Sequence, residues 1–206
     1  MNKKMILSAG LAAVIAAVST ASASAAQLTE SNRSGQTEVT ARIEGADPGE
    51  VSYIIEIPDV VDFGMLTRPD VDDEDSYKNV EYTVEAAEIN NLDPNNQQIS
   101  VYVRDQNATV DGDQHFYITN KADSSKKFFY NVFDCEEGSI TNSTDNIDSN
   151  TMTSAAGYYL TGFTAEGESL TGTLRLNQVQ LYPHDLKDIV GDYSGYMVFY
   201  SMIEDK

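Results

Sequence analysis

The 206-residue chain has no tryptophan, one cysteine and two histidines, and it sets 13 Lys and Arg against 33 Asp and Glu. Each scarcity excludes something. With so few basic residues there is no positive stripe to displace counterions from phosphates, so nucleic acid is excluded as a partner. The net charge of −20 also opposes anionic lipid and favours solubility. Cys135 stands alone and cannot close an internal disulfide, so core burial and strand ladders must hold the fold. Its neighbours Asp134, Glu136 and Glu137 disfavour a thiolate. His115 and His184 lack the spaced Cys, His or carboxylate neighbours of a zinc site. No G-x-S-x-G elbow and no phosphate-cradling glycine loop is present, and acids are too abundant for any carboxylate pair to stand out. The expectation is a protein without catalysis.

The first 26 residues read as a secretory signal: Lys3 and Lys4 form a positive start, residues 5–18 are apolar, and Ala23-Ser24-Ala25 offers a small-residue cleavage point. The apolar run is too short for a permanent membrane span. The signal holds two lysines and no acid, so its removal takes the charge from −20 to −22. Without an apolar tail, an LPxTG-type sorting motif or a cysteine at the cleavage region, attachment to a cell is expected to be noncovalent or through polymerisation. Composition and signal together suit a bacterial, Gram-positive exporter.

Residues 27–36 read as a flexible leader and 37–206 as a single domain. Residues 37–44 alternate, with Val39, Ala41 and Ile43 on one face, as a half-buried strand requires. Strand patterns recur at 51–57, 77–89, 99–103, 115–119, 126–134, 157–165, 170–181 and 194–203, and a further short apolar run lies at 60–66. Residues 126–134 are apolar on both faces, as in a central strand. Residues 136–153 read as a long polar loop, and 183–190 as one or two helical turns burying Leu186, Ile189 and Val190. About ten short strands with almost no helix predict an all-β, antiparallel Ig-like or fimbrial-type sandwich.

Two segments carry a resemblance. Ile57-Pro58-Asp59-Val60-Val61-Asp62-Phe63-Gly64 resembles the opening "P-x-x-[LIV]-D-F-G" of Gram-positive surface β-sandwich modules, including WxL-type cell-wall-binding domains. Gly191-Asp192-Tyr193-Ser194-Gly195-Tyr196-Met197-Val198-Phe199 resembles their closing strand, a pattern shared with fimbrial and other Ig-like secreted subunits. The resemblance implies the sandwich architecture; the WxL motif itself is absent, and with it the basis for peptidoglycan binding. In physical terms, Phe63 is expected to plug the core. Gly191 and Gly195 are expected to supply positive φ or close backbone approach, and the Tyr193 hydroxyl to bond to backbone as in a tyrosine corner.

The acidic loop holding Asp70, Asp72, Asp73, Glu74 and Asp75 is a candidate for Ca²⁺, which takes six to eight oxygen ligands, although it lacks EF-hand spacing and more simply reads as a solvated loop. Apart from that loop, no cofactor is expected. Of the 12 tyrosines, Tyr53, Tyr82, Tyr102, Tyr130, Tyr158, Tyr159, Tyr196 and Tyr200 fall in the expected strands, where packing accounts for most of them. An exposed row among them would suit sugar rings. The functional expectation is a secreted surface protein, an adhesin, matrix component or envelope-associated binding module. Its partner would be a cell-wall or host-surface component or other copies of itself. The alternatives are a fibre subunit that inserts residues 37–44 into a neighbour's sheet and a secreted carbohydrate-binding or hydrolytic accessory protein.

Overall fold

Alternation of buried and exposed side chains sets the architecture. A computed structural model describes residues 49–70, 75–142 and 144–206. The expected strand at 37–44, the signal and the leader lie outside these residues. Nine strands run through the described chain: β1 Ser52–Glu56, β2 Tyr77–Asn90, β3 Gln97–Asp105, β4 Phe116–Asn120, β5 Lys127–Phe133, β6 Tyr158–Phe163, β7 Ser169–Asn177, β8 Tyr193–Ser194 and β9 Met197–Asp205. The described helix, α1 Leu186–Ile189, is one turn long. The strands form a six-stranded sheet, ordered β1-β2-β7-β5-β4-β8, and a three-stranded sheet, ordered β6-β3-β9, and every pairing is antiparallel. This is an all-β sandwich.

The period-two patterns place the core. Tyr82, Val84 and Ala86 of β2 and Ile99, Val101 and Val103 of β3 are buried, and they share one cluster with Val132, Leu160, Phe163, Leu174 and Leu176 from both sheets. Successive strand residues point to opposite faces, so Ser100, Tyr102 and Arg104 of β3 face away from that core. Between the two sheets, the Ser201 hydroxyl of β9 donates to the Tyr53 hydroxyl of β1 at 3.2 Å.

Several local readings are corrected. The run at 60–66 joins neither sheet. Phe63 (8% exposed) pins it to the core, with its ring edge-on to Tyr130 at 5.7 Å. Strand β5 is central but one-sided: Phe128, Tyr130 and Val132 point inward while Phe129 is exposed. The pattern at 194–203 belongs to two strands. β8 pairs with β4 in one sheet and β9 with β3 in the other, so the chain changes sheet at Gly195 and Tyr196, and Tyr196 lies outside any strand. In α1 only Ile189 is buried, and Leu186 and Val190 are exposed, because a single turn reaches the core with one side chain. The pattern at 170–181 ends early: β7 stops at Asn177, whose side chain accepts from the Val179 amide, and a 3₁₀ turn, Gln178–Leu181, follows.

The 136–153 loop is anchored. Its 3₁₀ turn Ile147–Ser149 buries Ile147, and Met152 is fully buried. The Asp148 carboxylate accepts from the Val132 amide of β5 at 3.1 Å and from the Asn131 side chain at 3.0 Å. These bonds fall where β5 pairs with β7 and has passed the end of β4, so the turn satisfies an edge that β4 leaves open.

Candidate functional site

An apolar groove is bounded on one side by residues 57–66 and on the other by the chain from α1 to the start of β9. It encloses about 1040 Å³ and has Ile118, Phe128 and Leu174 among its lining residues. Sequence explains why its walls stand apart. Pro58 follows the end of β1, and the next residues run without a partner strand until Thr67. The Thr67 amide donates to the Gln178 side chain at 2.8 Å, and the Arg68 guanidinium donates to the Tyr182 carbonyl at 2.6 Å while its carbon lies 5.3 Å over the Tyr182 ring. Within the wall, the Gly64 amide donates to the Asp62 carboxylate at 2.8 Å, and Gly64 takes φ 63°. The wall is thus held by Phe63 at its centre and by Thr67 and Arg68 at its end.

The opposite wall follows the closing motif. Gly191 has φ 145°, and a Cβ on Gly195 would collide with the Tyr117 carbonyl, so both expected glycine roles are found. Tyr193 also behaves as expected: its hydroxyl donates to the Ile189 carbonyl at 2.7 Å. Of the eleven exposed large apolar side chains among the described residues, six border this groove: Ile57, Val60, Met65, Leu186, Val190 and Tyr196. Contiguous apolar exposure of this kind marks interaction surfaces. Both walls carry the motifs noted in the sequence, but nothing in either motif says that the two face one another.

A second constellation lies on the outer face of the three-stranded sheet. Tyr102 is paired with Tyr159 on β6 and with Tyr200 on β9, so three tyrosines cross the sheet in one row. The Tyr102 and Tyr159 rings meet edge-on at 5.7 Å. The Tyr102 hydroxyl donates to Glu204, at 2.9 Å and 2.8 Å to its two oxygens. Burial first, then this carboxylate, pushes the Tyr102 hydroxyl above its ordinary value and keeps it a donor.

The acidic loop is only partly described: Asp72, Asp73 and Glu74 lie outside the described residues. Asp70 and Asp75 are exposed, and the Asp75 carbonyl accepts from the Tyr77 amide at 2.9 Å. Among the described residues no group of three or more His, Cys, Asp or Glu side chains is placed to hold a metal ion. His115 pairs with Asp113 at 2.8 Å on the surface, and His184 lies edge-on to Phe128 at 6.1 Å. Cys135 is half-buried; burial first, and then Asp134, raises its thiol. Among the described residues no helix is long and apolar enough to cross a membrane.

No protein-family model matches the chain, and no curated protein matches it. It is similar to a chain solved in a chaperone–tip adhesin complex of CFA/I fimbriae biogenesis, at 17% identity and a TM-score of 0.37. The match covers 72% of this chain and 40% of that one.

Proposed function

We infer that this protein is a secreted, noncatalytic cell-surface protein, an adhesin, matrix or envelope-associated binding module, and that the apolar groove is the face with which it engages other protein. The observation that carries this reading is the concentration of exposed apolar side chains on both groove walls, in a chain otherwise rich in acids. Covering such a patch removes apolar area from water at about 25 cal/mol per Å². Residues 57–66 join no sheet, so among the described residues no strand runs along that wall of the groove. An extended apolar segment is the occupant that suits it.

The test uses the mature chain from residue 27 with Val60→Asp and Val190→Asp. Both side chains are largely exposed, at 80% and 77%, so folding should be unaffected while retention on cells or envelope preparations falls at least tenfold. Retention equal to wild type would remove the groove from the function.

A second reading, a fibre subunit that inserts residues 37–44 into a neighbouring copy, is favoured by one observation. Among the described residues β8 ends the six-stranded sheet and borders the groove, and no described strand pairs with its outer edge. The alternation of Val39, Ala41 and Ile43 suits insertion beside such an edge. Concentration-dependent filaments that disappear on deleting residues 27–45 support it, and persistent monomers at high concentration argue against it.

A further inference from the structure

We propose that the outer face of the three-stranded sheet is a second binding site, independent of the groove, that takes neutral glycans, with Tyr159, Tyr102 and Tyr200 stacking against sugar rings. Register alone brings these residues together: antiparallel partners share a face, and both Tyr159 and Tyr200 are paired with Tyr102. Two strand spacings separate the outer members, roughly 10 Å. Tyr159 and Tyr200 are each about half exposed, at 49% and 51%. Tyr102 holds the Tyr159 ring edge-on, and the half-exposed rings offer faces on which a sugar can stack.

The polar surroundings are built rather than incidental. Gln98 lies with its amide across β6, where its Nε2 donates to the Ser100 hydroxyl at 2.9 Å and reaches the Tyr159 hydroxyl at 3.5 Å. That position exists because residue 162 is glycine: a Cβ there would sit 2.7 Å from the Gln98 amide carbon. On the other side, Glu204 holds the Tyr102 ring by accepting from its hydroxyl. Aromatic faces beside fixed amide and carboxylate groups match a pyranose, which offers C–H faces to the rings and hydroxyls to the acceptors.

Charge selects among ligands. Arg104, a cation on this face, donates its Nη1 to the carbonyls of Asp105 and Gln106, at 3.0 Å and 3.2 Å. Two backbone carbonyls thus engage its Nη1. Glu204 adds a negative charge in a chain of net charge −20. Sulfated, phosphorylated or uronic acid polymers are therefore repelled, and an uncharged glycan meets no such penalty.

The absence of tryptophan makes tyrosine emission a direct reporter. The mature chain is titrated with mixed-linkage β-glucan, arabinoxylan and galactomannan, with polygalacturonate and an octalysine peptide alongside. The expected result is a saturable emission change and retardation in an affinity gel with at least one neutral glycan. Joint replacement Tyr159→Ala and Tyr200→Ala weakens that binding at least tenfold, while Val190→Asp in the groove leaves it unchanged. If the double variant does not fold, Tyr200→Ala alone is read in the same way. The proposal is overturned if no neutral glycan binds, if only polygalacturonate or octalysine does, or if the tyrosine variants bind as wild type does.

Discussion

The Tyr193 hydroxyl donates to the Ile189 carbonyl at 2.7 Å, and the ring lies 5.1 Å from that of Phe128. One side chain therefore ties the last turn of α1 to the start of β8 and fixes the groove wall between them. Tyr193→Phe keeps the ring and deletes the bond, so it should lower unfolding free energy by about 1 kcal/mol. Tyr193→Ala also removes the packing and should cost about 3 kcal/mol. Urea unfolding of both variants separates the two contributions; a Phe variant as stable as wild type would show that the bond contributes nothing.

Asp148 serves the opposite end of the six-stranded sheet. Its carboxylate accepts from Val132, Asn131 and Asn146, the last at 2.8 Å. Asp148→Ala leaves the Val132 amide without an acceptor at a strand end and frees the 136–153 loop. The expected loss is about 3 kcal/mol, since bonds to a charged acceptor are the stronger kind. Hydrogen exchange should locate it, with faster exchange at Val132 and through residues 136–153 and little change at Val101. Uniform acceleration across the domain would show that the contact is not local.

How much of this was legible beforehand follows from the physics of each signal. Strands β2 and β3 were readable because one face is buried and the other is wet, which writes a period of two directly into Tyr82, Val84 and Ala86 and into Ile99, Val101 and Val103. The 60–66 run looked like a further element because Phe63 needs the core, yet one anchoring residue does not make a strand. The two-sheet path of 194–203 was hidden because alternation continues through the corner. Only the contact of Gly195 with a backbone carbonyl from β4 shows where the chain turns away. The tyrosine row was visible as a list of strand tyrosines and invisible as a row, since register between strands distant in sequence is not written in any one of them. The groove was missed for the same reason: its two walls lie far apart along the chain.

Gly195 is the corner's test. A methyl group there would strike the Tyr117 carbonyl, which is backbone and cannot swing aside. Gly195→Ala should therefore destabilise by about 2 kcal/mol, although alanine ordinarily gains over glycine through its stiffer unfolded chain. Thermal unfolding gives the sign: a higher Tm would mean that the corner relaxes freely. Gly138→Ala serves as the control, because nothing lies within 4 Å of its added methyl.

Asp105 at the end of β3 predicts a distinct pH dependence. It is fully buried. Its Oδ1 accepts from the Asn107 amide at 2.8 Å, and its Oδ2 has no hydrogen-bond partner among the described residues. Burial raises its carboxyl above the usual range, and the amides of Asn107 and Tyr117 together with the Asn107 side chain only partly offset this. A raised acid binds a proton in the folded state at pH values where the unfolded chain has lost it. Its contribution is thus fully present below the unfolded value, near about 3.9, and is lost as pH climbs through the folded value. Asp113, lowered by His115, and Glu168, lowered by the Thr164 amide, act in the reverse sense and lose their contributions as pH falls. The wild-type profile therefore mixes both, and the difference from Asp105→Asn isolates the buried group. That difference should move in favour of the Asp105→Asn variant as pH rises from about 4, and level off once Asp105 is ionised in both states. Urea unfolding between about pH 3.5 and 8 measures it; a constant offset across that range would show that Asp105 titrates like a solvated carboxyl.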